Sequence, residues 1–248
     1  MPSHGMLALP KMPNKFYVPG EQRAARVNDL FAAVAPRYDL INDLQSFGLH
    51  RLWKRRLVQL ARPRHGERIL DLCCGTGDIA FALARSGGEV LGLDFSAPML
   101  QVARQRAARS APVQWIRGDA LHLPFADEQF DAITLGYGLR NLAKFEAAIV
   151  EMLRVLRPRG RLLILDFGKP DNALWRQLYF GYLASMVPLI GKLFCGDFAT
   201  HSYILESLKH YPAQRGVAAL MAEMNCERVR TLNLVGGIMA IICGEKAM

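Results

Sequence analysis

The chain has 248 residues, 51% hydrophobic and 21% charged. That is long enough for one large domain with a sizeable core, and too apolar for a disordered polymer. A formal net charge of +9 points toward an anionic surface or polymer, phospholipid or nucleic acid. The five cysteines are odd in number and form no Cys-x-x-Cys, which argues against a disulfide framework or zinc cluster and suits a reducing compartment.

Residues 1–22 contain Pro2, Pro10, Pro13 and Pro19 without an apolar core of signal-peptide length, and read as a loose leader. The remainder, 23–248, reads as one domain. It opens with helices over 23–64: Val27, Leu30, Phe31 and Val34 recur at helical spacing, and Pro36 breaks the pattern. Arg51, Lys54, Arg55, Arg56, Arg62, Arg64 and Arg68 follow, opposed only by Glu67. Such a run is either a solvated helix face or a contact for anionic lipid headgroups.

From residue 67 strand and helix alternate. The pattern predicts strands at 67–72, 89–93, 113–117, 129–135 and 161–166, and helices at 78–86, 97–109 and 143–156. This is the signature of an α/β, doubly wound, mostly parallel sheet. Over 168–212 the alternation stops, too long for a simple connection, so an insertion with its own helices is expected. Its longest uncharged apolar run, 177–191, is shorter than the ~20 residues of a membrane span and is interrupted by Pro188. The chain closes with apolar runs at 228–234 and 238–244 around Gly236-Gly237, an antiparallel hairpin that brings the sheet to seven strands.

The stretch Arg68-Ile-Leu-Asp-Leu-Cys-Cys-Gly-Thr-Gly-Asp78 runs from strand through glycine turn into helix, the construction of a ligand cradle at the carboxyl end of a parallel strand. Asp94, ending the second strand, can accept both hydroxyls of a ribose or cap the next helix, a role for which Ser96 competes. Gly118-Asp119-Ala120 offers an acceptor and a backbone amide to an adenine edge, or is a plain turn. Asp71 can face a ligand's ammonium. Neither Asp71 nor Asp119 helps to hold a pyrophosphate, which favours S-adenosylmethionine (SAM) over a dinucleotide.

Four stretches carry a family resemblance: Tyr38 to Trp53, Leu70 to Asp78, Gly136-Tyr-Gly-Leu-Arg-Asn141 and Arg154 to Gly160. Together they resemble the UbiE family of quinone-ring C-methyltransferases. The resemblance implies a Rossmann-like class I SAM-dependent methyltransferase fold with N-terminal helices, a helical lid after the fifth strand, and no metal. It implies SAM binding by Asp71, Gly75, Thr76, Gly77, Asp94, Phe95, Asp119, Ala120 and Gly136. The implied reaction is methylation of a prenylated quinol, demethylmenaquinol to menaquinol, in menaquinone or ubiquinone biosynthesis. A benzoquinol or a phytyl-naphthoquinol is an alternative acceptor.

The chemistry of that family needs an electron-rich ring and a cation beside its phenolic oxygen. Arg140 is the candidate cation, with a water held by Arg140 and Asn141 as proton relay; His50 and His201 are rival bases. Tyr38 is the candidate hydrogen-bond donor to the ring oxygen, or a packed core aromatic. Asn141 is also placed to cap the following helix. The stripe Leu178, Tyr179, Tyr182, Leu183 and Met186 suits either core or a polyprenyl pocket. Phe180, Val187, Leu189 and Phe194 are expected to dip into an anionic membrane, placing the protein in the cytoplasm, peripheral at the inner face of the cell membrane. A homodimer is a further expectation, and nucleic acid is not an expected partner. The chain departs from the family pattern at Ile41, Gln45, Cys73 and Arg159, the last two standing where glycine is usual. Rival functions are an RNA methyltransferase, a nicotinamide-dependent oxidoreductase and a fold that has lost catalysis.

Overall fold

The computed structural model describes residues 23–107, 112–195 and 199–248. The leader 1–22 and the end of the helix expected over 97–109 lie outside the described residues, as do the side chains of Phe194 and His201.

Three helices come first: α1 (Arg23–Val34), α2 (Tyr38–Ser46) and α3 (Leu49–Ala61). Pro36 sits in the one-turn 3-10 segment between α1 and α2. The sheet is built from β1 (Arg68–Leu72), β2 (Glu89–Asp94), β3 (Gln114–Arg117), β4 (Phe130–Gly136), β5 (Leu156–Phe167), β6 (Cys226–Leu234) and β7 (Met239–Lys246). Its order is β3-β2-β1-β4-β5-β7-β6, with β7 antiparallel to both β5 and β6. α4 (Asp78–Arg85), α5 (Ala97–Ala107) and α6 (Phe145–Val155) connect the parallel strands. α7 (Ala173–Cys195) and α8 (Ala199–His210) follow β5, and α9 (Ala213–Glu223) precedes the hairpin.

The strand sequences explain the layering. Ile69, Leu70, Leu72, Ile133, Leu135, Leu162 and Ile164 are fully buried, as strands covered on both faces must be. Parallel strands end together at the carboxyl edge, where the strand order reverses between β1 and β4. Ligands bind at such a switch point.

Four details correct the sequence expectations. β5 begins at Leu156, directly after α6, because Leu156 pairs with Phe130 across a bulge before the main register starts at Arg161. Pro188 lies inside α7 without ending it. Even so, among the described residues no helix is long and apolar enough to cross a membrane. α9 occupies residues for which the sequence pattern had suggested no element. Lys54 leaves the basic face: its Nζ turns inward to Asp78 Oδ2 at 2.8 Å.

Candidate active site

The glycine turn and the N-terminal helices are joined by one polar cluster. Thr76 Oγ1 donates to Asp39 Oδ1 at 2.9 Å. Arg106 Nη1 donates to Asp39 Oδ2 at 3.0 Å and to the Thr76 carbonyl at 2.8 Å, while Nη2 donates to Asp78. α2 is thereby held against the carboxyl edge of the sheet, and Tyr38, beside Asp39, is placed at the mouth of the turn.

Two cavities open there. The first is lined by Tyr38, Cys73, Gly75, Asp94, Phe95, Asp119, Ala120, Gly136 and Asn141. The second lies under α2, α3, α7 and α8; Arg140, His50, Gln45 and Tyr182 line it among mostly apolar side chains. It is the larger, about 410 Å³ against about 100 Å³. Phe31, Tyr38 and Tyr137 belong to the walls of both. Among the described residues no group of three or more His, Cys, Asp or Glu is placed to hold a metal ion.

Three expected ligand contacts do not line the first cavity. Asp71 is 1% exposed and accepts Thr134 Oγ1 at 2.7 Å, one layer beneath the turn. Burial pushes its carboxyl up to about 7, against the pull of Thr134. The Thr76 hydroxyl is taken by Asp39. Gly77 has φ +90°, and a Cβ there would come within 2.6 Å of the Trp115 ring. These residues shape the turn.

Asp94 lines the first cavity. Its Oδ2 accepts Gly75 N and its Oδ1 accepts Ser96 N, both at 2.8 Å. Burial raises its carboxyl above the ordinary value, opposed by these backbone amides. Ser96 Oγ is buried without a hydrogen-bond partner, so it does not serve as a cap. Asp119 Oδ1 accepts Leu121 N at 2.9 Å, leaving its second oxygen to the cavity. The acceptor set therefore fits SAM: paired acceptors for a ribose at one strand end, an acceptor for an adenine amine at the next, and the 41%-exposed Phe95 ring beside them.

Cys73, where a glycine is usual, takes the left-handed conformation at φ 54°. Its side chain fits because residue 138 is glycine; a Cβ there would lie 2.6 Å from Cys73 Cβ. Burial pushes the Cys73 thiol well up, so it stays protonated.

Arg140 is 6% exposed. Its Nη1 donates to Ser207 Oγ at 2.7 Å and to Asn141 Oδ1 at 3.1 Å. Nε lies 3.4 Å from Asp166 Oδ1, and the guanidinium carbon sits 4.5 Å from the Phe167 ring centroid. Asn141 does not cap α6: its Nδ2 donates to the Tyr137 carbonyl at 3.0 Å, holding Tyr137 at φ 63°. Tyr38 is half-buried, and burial pushes its hydroxyl up to about 12 against the pull of the Asn42 side chain.

The profile of the ubiE/COQ5 methyltransferase family matches residues 19–246, nearly the whole chain. The chain belongs to the ubiE/COQ5 methyltransferase family. It is 43% identical over 235 residues to the ubiquinone/menaquinone biosynthesis C-methyltransferase UbiE of Stutzerimonas stutzeri, covering 92% of each chain. The Pseudomonas putida protein of that name is 41% identical, again covering 92% of each. In fold the chain is similar to a SAM-dependent methyltransferase of Thermotoga maritima, with a TM-score of 0.64, 20% identity, and 88% and 98% of the two chains covered. It is also similar to a phosphoethanolamine N-methyltransferase of Haemonchus contortus, with a TM-score of 0.60 and 14% identity, covering 79% of this chain and 52% of that one. Membership of the ubiE/COQ5 family makes the protein a SAM-dependent methyltransferase and sets aside the oxidoreductase and non-catalytic readings.

Sequence reasoning missed Asp166, Ser207 and Tyr137. Tyr137 carried the one available signal, an aromatic residue between two glycines. Ser207 joins the site from α8, which the residue pattern did not resolve.

Proposed function

We propose that the protein transfers a methyl group from SAM to a ring carbon of a prenylated quinol, with demethylmenaquinol as acceptor. The observation that carries this reading is the shared wall of Phe31, Tyr38 and Tyr137. It separates a cavity edged by acids from a larger apolar one that holds a buried arginine. Bound SAM supplies an electrophilic methyl on a sulfonium.

Asp94 takes the ribose hydroxyls, Asp119 and Ala120 the adenine edge, and Phe95 the adenine face. Gly75 and Gly136 let backbone approach the ligand. In the second cavity Arg140 faces the quinol. A phenolic hydroxyl has a pKa of about 10, and a cation in an apolar wall lowers it. Tyr38 stays protonated and donates to the ring oxygen. Asn141 ties Arg140 to the Tyr137 backbone, aligning the two walls. Asp71, Thr76 and Gly77 act through the shape of the turn.

The polyprenyl tail leaves through a mouth edged by Phe47, Trp175, Leu178 and Val235, all substantially exposed. Along α7 the exposed Leu174, Leu178, Met186, Leu189 and Leu193 share one face. Phe180 and Val187, expected at a membrane, pack inward instead. With Arg51, Arg55 and Arg56 exposed on α3, the protein suits an anionic membrane, peripheral at its cytoplasmic side.

Methyl transfer from labelled SAM to reduced demethylmenaquinone, beside its oxidised form and a benzoquinol analogue, tests the acceptor. Transfer to the oxidised form alone overturns the reading. Flotation with phosphatidylglycerol vesicles at low salt tests the face, which fails if the protein stays unbound.

A further inference from the structure

His50, on α3, is 3% exposed and forms part of the wall of the apolar cavity. Its Nε2 lies 2.8 Å from Asp43 Oδ1. Its Nδ1 is buried and has no hydrogen-bond partner. Asp43 is itself held by Arg51, whose Nε and Nη2 donate to its two oxygens. These hydrogen bonds, with a smaller contribution from His50, lower the Asp43 carboxyl to about 2.

An ionised carboxylate only accepts hydrogen bonds, so the shared proton sits on Nε2. That fixes the tautomer and leaves a lone pair on Nδ1. An apolar side chain would fill the same place in the wall without the cost of an unpaired buried nitrogen. We infer that His50 is a catalytic base of this site, taking the quinol hydroxyl proton on Nδ1, with Asp43 as its positioning residue. The inference rests on the quinol reading above.

The charged groups around the imidazole are Asp43 from α2, Lys54 and Arg51 on its own helix, and Asp78 at the start of α4; Arg140 shares the cavity. Burial and then Lys54 push the imidazole below its ordinary value, outweighing Asp43. The ring is therefore neutral near pH 7 and able to accept. A guanidinium is not a proton acceptor, and Arg140 already donates to Ser207 and Asn141. The Tyr38, Tyr137 and Tyr179 hydroxyls are all pushed up by burial and remain protonated.

In the step, the quinol O–H bond breaks and its electron pair stays on oxygen, while an N–H bond forms at Nδ1. After the ring carbon has gained its methyl, that carbon's hydrogen leaves as a proton and the oxygen regains one. One proton per turnover remains on His50 and passes to solvent, balancing the positive charge lost from the methyl donor.

The test is methyl transfer to reduced demethylmenaquinone across pH 5–8 by wild type, His50→Gln and Asp43→Asn, with SAM affinity measured by calorimetry. Wild type is expected to lose rate as pH falls below the ordinary imidazole value of about 6.5. His50→Gln is expected to lose about 10²–10³-fold in kcat, keep its SAM affinity within about twofold, and show no acid limb. Added imidazole should restore part of that rate, which a merely structural role would not allow. Asp43→Asn should move the limb to lower pH. Histidine nitrogen NMR should find Nε2 protonated in the free protein and the Nδ1 signal displaced by a bound naphthoquinol analogue. If His50→Gln fails to fold, the wild-type limb, its shift in Asp43→Asn and the NMR signal decide. A limb that persists in His50→Gln, a flat wild-type profile, or an Nδ1 signal unmoved by the analogue overturns the inference. Wild type inactive on every quinol overturns the parent reading as well, so the two failures are distinct.

Discussion

Arg140 Nη1 donates to Asn141 Oδ1 at 3.1 Å, yet these sequence neighbours line different cavities. The one-turn 3-10 segment Leu139–Asn141 makes this possible, since successive side chains leave it about a third of a turn apart. One local pair thereby couples the walls of the two cavities.

Replacing Arg140 has a structural cost that must be separated from its catalytic effect. Arg140→Ala leaves Asp166, 1% exposed, without its cation, and breaking a buried pair on one side costs about 3–5 kcal/mol. Arg140→Gln combined with Asp166→Asn removes both charges. That double variant is expected to fold, to bind SAM within about twofold of wild type, and to lose about 10²–10³-fold in kcat. Calorimetry and labelled methyl transfer read the two effects; a full rate would remove Arg140 from the chemistry.

Asp94→Asn places an amide where two backbone N–H groups need acceptors. One side-chain oxygen cannot serve both Gly75 and Ser96, and a facing amide repels one of them. SAM affinity is expected to fall by about tenfold or more, from a buried donor left unpaired and a lost ribose partner. Isothermal calorimetry checks this, with circular dichroism confirming that the fold persists.

Asp71 makes the stability of the free protein pH-dependent with a defined sign. Its folded pKa of about 7 lies above its ordinary value of 3.8, so the folded state holds the proton more tightly. Its contribution to stability is full below about 4 and is lost as pH rises toward and through 7. Asp71→Asn removes this dependence. The Tm difference, variant minus wild type, should therefore grow from pH 4 to pH 8. A difference that shrinks over that range contradicts the assignment.

Arg159 occupies the left-handed region at φ 61°, in the turn before the main register of β5. A side chain there costs about 1–2 kcal/mol relative to glycine, partly offset by the greater chain entropy of glycine when unfolded. Arg159→Gly is expected to stabilise the protein by about 1 kcal/mol, seen as a higher urea midpoint at unchanged m.

The strand, turn and helix order from residue 67 onward was legible because periodicity and turn residues are local signals. Leu70 through Asp78 announces its own cradle, and Val90 through Asp94 its own acid at a strand end. Pro188 lies inside α7, since an interior proline disfavours a helix without forbidding it and packing carries the helix through. The partner of the Thr76 hydroxyl, Asp39, lies 37 positions away, beyond any local pattern.

By itself the sequence determined the sheet, the site's edge, the methyl donor and the family, since each rests on short stretches with their own chemistry. Tertiary structure alone decided which residues line which cavity. Lys54 turns to Asp78, Arg140 to Ser207, and the sheet hides Asp71 beneath the turn. Those outcomes depend on partners 24, 67 and 63 positions away. Side-chain direction at such a site follows where distant elements pack, and no local pattern of residues encodes that.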